Sequence, residues 1–317
     1  MIYFGPGVHN LPNDTLFVPS GTTVYIDGGA RVYGNIFTEG AHDVNIFGRG
    51  EVHPDGRGAG VWVRRSKNVR IDGIVVSQLP IGQCDSVELT NVKSISYYGW
   101  GDGMDVFSSS NVILDGVFCR NSDDCAAVYA STQGFKGGSN NVLVKNATLW
   151  ADVAHPINIG GHGDPNGMDT VQNVTFRNID ILDQAENQID YQGCLAINPG
   201  DNTLVRNITF ENIRIEDFRN GQLVNFRISF NPKYCVSTGR GIQNVLVKDV
   251  TYNGSGENLS IIAGYDENHK ISGIRFVNLV VNGRKITDDM PGKPKWYKTG
   301  DMAGIFVGEH VENLSFE

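Results

Sequence analysis

Ten short phrases of one kind recur along this chain, and their spacing limits the fold more than any other feature. They run DVNIFGRG (Asp43 to Gly50), NVRIDGIVV (from Asn68), NVKSISYYG (from Asn91), NVILDGVFC (from Asn111) and NVLVKNATL (from Asn141). NVTFRNIDI (from Asn173), NITFENIRI (from Asn207), NVLVKDVTY (from Asn244), GIRFVNLVV (from Gly273) and NLSFE (from Asn313) continue the series. Each alternates apolar with polar residues, the period of a half-buried strand, and Val, Ile and Thr dominate. The leading asparagines at 45, 68, 91, 111, 141, 173, 207 and 244 are separated by 23, 23, 20, 30, 32, 34 and 37 residues. A floor of 20 to 23 residues with variable additions is a coil with loops inserted.

One phrase cannot bury its apolar side alone. Coils stacked at the inter-strand spacing of about 4.8 Å would bury a continuous column of Val, Ile and Leu. Leucine-rich repeats share the period, but their LxxLxLxxN pattern and helical half are absent; propeller blades run longer, about 40 to 45 residues. The predicted fold is all-β: a single-stranded, right-handed parallel β-helix of about nine or ten coils. The leading Asn suits a turn between strands because it tolerates the left-handed conformation, and it is placed to stack as a ladder. The 39 glycines fit a turn-rich chain. FGPG, VPSG and DGG punctuate the opening coils, and Thr287 to Gly300 (TDDMPGKPKWYKTG) reads as a loop beside the last ones. No linker divides the chain, so residues 1–317 are expected to form one domain.

Net charge is −9 with no basic stripe, which argues against a nucleic-acid partner. No run of 18 apolar residues exists to span a membrane. Met1 leads straight into YFGPGVH, which has no signal-peptide pattern; the expectation is a cytoplasmic chain or one trimmed of a leader. Cys84, Cys119, Cys125, Cys194 and Cys235 are odd in number and irregularly spaced, so buried free thiols are expected rather than a disulfide framework. Seven Asn-x-Ser/Thr sequons, at Asn13, Asn146, Asn173, Asn207, Asn253, Asn258 and Asn313, follow from the Asn-rich repeat.

The chemistry concentrates between Trp100 and Gly163. Asp102 and Asp123 are 21 residues apart, one minimal coil, which places them on one side of the solenoid in adjacent coils. Asp124 adjoins Asp123. Strand neighbours point to opposite faces, so both can face outward only where the strand ends or bulges. His155 follows 31 residues after Asp124, one coil plus the loop STQGFKGGSN. Three carboxylates and an imidazole could thus converge on one outer patch. Glycosidic cleavage needs such a set: one carboxyl protonated to donate to the leaving oxygen, another ionised to activate water or attack the sugar. Crowded like charges separate the two roles. Each residue has an ordinary structural reading beside this one: a solvated Asp pair, a hydrogen-bonded His.

The stretch resembles glycoside hydrolase family 28, the polygalacturonases, and more distantly the dextranase and isopullulanase family 49. The family pattern runs Asn-Thr-Asp-Gly-x-Asp, Gly-Asp-Asp, Gly-His-Gly and Arg-Ile-Lys. Trp100-Gly101-Asp102-Gly103-Met104-Asp105 matches the first motif at both aspartates, without its Asn and Thr. Ser122-Asp123-Asp124 matches the second with Ser for Gly, and Ala154-His155-Pro156 the third without its glycines. The resemblance implies a pectin-lyase-like solenoid and an inverting hydrolase of a polysaccharide or oligosaccharide that needs neither cofactor nor metal. It implies Asp123 as general acid, Asp102 and Asp124 as the groups that activate water, His155 as support for the acid, and Asp105 in a structural or secondary part beside the sugar. It also implies secretion or a periplasmic location.

The fourth motif departs. Gly193-Cys194-Leu195-Ala196-Ile197 stands where Arg-Ile-Lys would pair with a sugar carboxylate. Arg227 is the candidate cation from a later coil, and a neutral glycan is the other expectation. His162 and Asp164 could line a sugar subsite, and Trp100, Trp150, Tyr129 and Tyr191 are candidate stacking platforms. A uronan lyase or epimerase and a non-catalytic glycan-binding module stand as alternatives.

Overall fold

The computed structural model describes residues 1–255 and 258–317. Its strands pair in parallel with the coils before and after, and the result is a parallel β-helix. The asparagine phrases form its longest ladder. It includes His42–Gly48, Lys67–Asp72, Asp85–Thr90, Ser110–Asp115, Ser139–Ala151, Thr170–Gln184, Leu204–Ile215, Gly241–Tyr252, Ile271–Val281 and Val311–Phe316. The register keeps Val69, Val87, Val112, Val142, Val174, Ile208, Val245 and Ile274 in one inward column. Each of these is buried. At about 25 cal/mol per Å² of apolar area removed from water, such columns are the main force holding coil to coil. Phe176, Phe210 and Phe226 add a stack of rings at 5.9 Å centroid spacing.

The asparagines do what their chemistry suggests. Asn68, Asn91, Asn111, Asn141, Asn173, Asn207 and Asn244 all turn the chain with φ of 53 to 57°. Their side-chain amides also bond from coil to coil: Asn141 donates to Asn111 (2.7 Å), Asn207 to Asn173 (3.1 Å) and Asn244 to Asn207 (3.2 Å). The first phrase differs, because Asp43 rather than Asn45 takes the left-handed turn, at φ 55°. A second ladder runs beside the first, in which Asn178 donates to Asn146 (2.7 Å) and Asn212 to Asn178 (3.2 Å).

A second row of strands matters more for function. It runs through residues 15–17 and 35–39, then Val61–Arg64, Ile81–Gly82, Met104–Phe107, Ala126–Tyr129, Ile157–Ile159, Leu195–Ile197, Val224–Arg227, Ser260–Ala263 and Ile305–Val307. These eleven strands among the described residues outnumber the expected nine or ten coils, because the first coils carry no Asn phrase. Segments entering these strands form one wall of a cleft, and segments leaving them form the other. All five cysteines are free thiols, four of them buried. No helix among the described residues is long and apolar enough to cross a membrane.

Candidate active site

The cleft lies over the strands Met104–Phe107 and Ala126–Tyr129 and encloses about 690 Å³. Its carboxylates arrive from successive turns. Met104 pairs with Ala126, and the Gly103 amide donates to the Asp124 carbonyl at 2.7 Å. Asp102 therefore sits level with Asp124 rather than with Asp123, one residue off the spacing read from the sequence. Ala126 pairs in turn with Ile157 and Ile157 with Leu195, which extends the row through His155 to Gly193.

Asp123 and Asp124 both reach the cleft because the chain is not a strand there. Phe118–Asn121 ends before them and Ala126–Tyr129 begins after them. Asn121, fully buried, fixes this corner: its amide donates to Ser94 and Ser96 (3.1 and 3.0 Å) and to the Asp102 carbonyl (3.1 Å). Gly103 is required by the same crowding, since a Cβ there would lie 2.2 Å from the Cys125 carbonyl oxygen.

The two adjacent carboxyls live in opposite environments. Asp124 is 2% exposed, and both of its oxygens are engaged by donors. The His155 ring Nδ1 lies at 2.7 Å and the His155 amide donates at 3.1 Å to one oxygen. The Tyr129 hydroxyl and the Asn158 amide (2.8 Å) donate to the other. Burial alone would raise this carboxyl; the His155 ring and the donated bonds outweigh it and hold the group below the usual carboxylate range. Asp123 accepts one bond, from the Asp124 amide at 3.0 Å. Burial, then the charges of Asp124 and Asp102, push it up to about 8. Burial and the Asp124 charge push Asp102 up to about 7. Asp105, 3% exposed on the cleft floor, is driven well above the ordinary range by burial and by Asp102, with which it shares a hydrogen bond. A neutral Asp105 thus donates to Asp102.

The cleft brings together Trp100, Asp102, Asp105, Asp123, Asp124, Tyr129, His162 and Tyr191 of the residues singled out from the sequence. His155 stands behind them, fully buried, with its ring on Asp124. The expectation that it supports Asp123 is corrected by this contact: the row of paired strands aligns His155 with Asp124. Arg227 does not line the cleft; its strand register sets it beside Ala263, beyond the carboxylate row. Trp150 lies under Arg120 (4.2 Å) on another face, and Asp164 sits near Lys136 at 3.6 Å outside the cleft lining. Burial holds His162 below the usual imidazole range, and its ring meets Tyr129 edge-on at 5.0 Å.

Several lining residues carry no pattern a sequence reading could catch. Glu186 and Gln188 come from the long segment before Leu195–Ile197, which also carries Tyr191, and Lys233 and Tyr234 from the segment after Val224–Arg227. Tyr191 packs edge-on against His155 at 4.3 Å and stacks on Tyr234 at 4.7 Å. Lys233 lies over Tyr234 (4.8 Å) and donates to Gln188 at 2.8 Å. Tyr191 stands two residues before Gly193. That glycine is held at φ +136°, and a Cβ on it would meet the Asn225 Cβ at 2.9 Å. The backbone itself excludes a side chain at Gly193.

The model of the family described as "Glycosyl hydrolases family 28" matches residues 61–290. An exopolygalacturonase of Cochliobolus carbonum is 24% identical over 206 residues, 57% of this chain and 44% of that protein. An Aspergillus fumigatus protein described as "Probable exopolygalacturonase X" is 26% identical over 291 residues, 85% of this chain and 58% of that protein. The chain thus spans about half the length of these curated relatives. The solved family 28 exopolygalacturonase of Yersinia enterocolitica superposes with a TM-score of 0.68 at 13% identity, over 98% of this chain and 72% of that one, a likeness of fold.

Proposed function

Because this chain belongs to glycosyl hydrolases family 28, we propose that it hydrolyses glycosidic bonds of an acidic polysaccharide with inversion at the sugar carbon. The observation that carries the reading is the split between neighbouring carboxyls. Asp124 is saturated with donors and ionised, while Asp123 keeps one oxygen free toward the cleft and holds its proton to about 8. Asp123 donates that proton to the leaving glycosidic oxygen. Asp102 takes a proton from the attacking water on the opposite side of the ring, aided by the hydrogen bond from Asp105. Asp124, whose lone pairs are already occupied, contributes its fixed charge and the orientation of the water. His155, Tyr129 and Asn158 act through Asp124. The C–O bond to the leaving sugar breaks as the water oxygen bonds the anomeric carbon, and both protons are accounted for by Asp123 and Asp102.

Lys233 supports an acidic substrate. It is the one lysine or arginine lining the cleft among the described residues, and it arrives from a different coil than the motif it replaces. Replacing Lys233 with Met should raise KM on polygalacturonate and leave kcat largely intact, the mark of a binding contact made equally in ground and transition states. Activity on a neutral dextran equal to that on polygalacturonate would overturn the acidic-sugar reading.

The mechanism is tested with Asp123→Asn, which should lower kcat on the true substrate by roughly 10²- to 10⁴-fold, the usual contribution of general acid catalysis. Proton magnetic resonance of the first sugar released should show the anomer opposite to the linkage cleaved. Retention of configuration would exclude the direct water attack.

A further inference from the structure

Three side chains on the rim of the cleft are large, apolar and open to water. Trp100 is 79% exposed, Tyr97 85% and Val153 44%, and all three line the cleft that holds Asp102 and Asp123. Exposed apolar residues are ordinary when scattered singly; three around one cleft mark a binding surface. Trp100 also carries a backbone conformation that its side chain disfavours, with φ of 57°. A bulky residue rarely takes this left-handed conformation, and where one does, its surroundings must hold it there.

The surroundings do hold it. The Trp100 carbonyl accepts from the Gln78 side-chain amide at 3.0 Å. The chain is tied on both sides of it as well: the Ser122 hydroxyl donates to the Tyr98 carbonyl and the Ser96 hydroxyl to the Gly101 carbonyl. The Tyr98 hydroxyl donates to the Gly58 carbonyl at 2.6 Å and accepts from the Gly58 amide at 3.2 Å. Gly101 has no room for a side chain, since a Cβ there would lie 2.5 Å from the Ser122 Oγ. These bonds fix the backbone and leave the indole to the cleft, two residues before Asp102. Strain kept at an exposed ring, with no burial of that ring to offset it, is a sign of function.

We propose that Trp100 is a sugar-stacking residue, whose indole face holds the sugar unit beside the cleavable bond at the Asp102 end of the cleft. The inference rests on the reading of the cleft as a glycan-cleaving site. Family 28's pattern has Asn at this position, so the ring is a departure of this chain. The two ends of the cleft then differ in chemistry. Trp100 enters the first strand of the carboxylate row, Met104–Phe107, and Lys233 follows Val224–Arg227, four strands further along that row. One end offers a flat apolar face to a sugar ring, the other a cation to a sugar carboxylate. The tied backbone has already lost its freedom before the sugar arrives, so stacking costs little further ordering.

The test follows the indole fluorescence of the full chain as a galacturonic trisaccharide is added, with Asp123→Asn as parent so that the sugar survives. The parent's emission should move to shorter wavelength as the ring leaves water. Trp100→Phe keeps a ring face and should retain most of the affinity, measured by calorimetry, while losing the shift, which assigns the signal to Trp100. Trp100→Ala should bind about tenfold more weakly, the usual consequence of truncating an aromatic anchor. Trp100→Gly should bind as weakly as Trp100→Ala yet melt at or above the parent, because glycine takes the left-handed conformation without strain. No shift in the parent, a shift that persists in Trp100→Phe, or undiminished affinity in Trp100→Ala would each overturn the proposal. So would a lower melt of Trp100→Gly, which would show that the ring packs the fold. Release of reducing ends from polygalacturonate by the unsubstituted chain is scored separately. Binding that depends on Trp100 without release would refute the hydrolase reading and leave the stacking site standing; release with undiminished affinity in Trp100→Ala would do the reverse.

Discussion

At the scale of single residues, adjacency in sequence says little about chemistry. Asp123 and Asp124 share a peptide bond, yet one is held protonated and the other ionised by what surrounds them. All four acids were legible: Asp102, Asp123 and Asp124 recur at about the coil length, and Asp105 shares a motif with Asp102. What was not legible was direction. A one-residue difference in register puts Asp102 and His155 level with Asp124, and no spacing rule resolves one residue within a turn. Lys233 and Tyr234 were invisible for another reason: they lie in a non-repeating loop, where no period announces a contact. Glu186 is a third such residue, 4% exposed in the cleft, and its charge is among those raising Asp123. Replacing Glu186 with Gln removes that charge, so the proton on Asp123 becomes easier to lose. The alkaline limb of the kcat/KM profile, expected near 8, should move to lower pH. An unmoved limb would show that Glu186 does not act on the acid.

At the scale of the element, the recurring phrase determined the strands and the turn at once. Alternating Val and Ile fill the column, and an Asn at most corners takes the left-handed turn while its amide reaches the preceding coil. The prediction of stacking followed from chemistry that any Asn carries, so the first ladder could be read directly. The second ladder, through Asn146, Asn178 and Asn212, was in plain view within the same phrases and shows how much one strand unit encodes. Asn173 is a clean place to measure this. It turns at φ 56°, donates to Asn140 at 2.8 Å and accepts from Asn207. Asn173→Ala should cost about 1 to 2 kcal/mol for the left-handed conformation alone. Asn173→Gly keeps that conformation without strain and should cost less. Urea unfolding of the two variants separates backbone strain from the lost amide bonds; equal losses would assign the whole effect to the ladder.

At the scale of the whole molecule, a solenoid can tolerate a strained site because each coil is held by its neighbours. The cleft exploits that tolerance by burying four carboxyls together. The pH dependence of stability follows from their directions. Asp102, Asp105 and Asp123 all have proton affinities raised in the folded chain. Such groups contribute stability that is fully present below the unfolded value, about 3.9, and is lost as pH rises through the folded values. For Asp102 and Asp123 those values are about 7 and about 8. Asp124, lowered, has the opposite sign and gives up its contribution only in acid. Each tenfold change in proton affinity is worth about 1.4 kcal/mol. The melting temperature should therefore fall between pH 5 and pH 9 by more than the surface ion pairs explain. Asp123→Asn, which cannot ionise, should flatten that fall and melt higher than the parent at pH 9 while being inactive. The same burial that readies the acid for donation is thus expected to be measurable as instability. Parallel melting curves for the two chains across this range would mean that Asp123 is not held protonated by the fold.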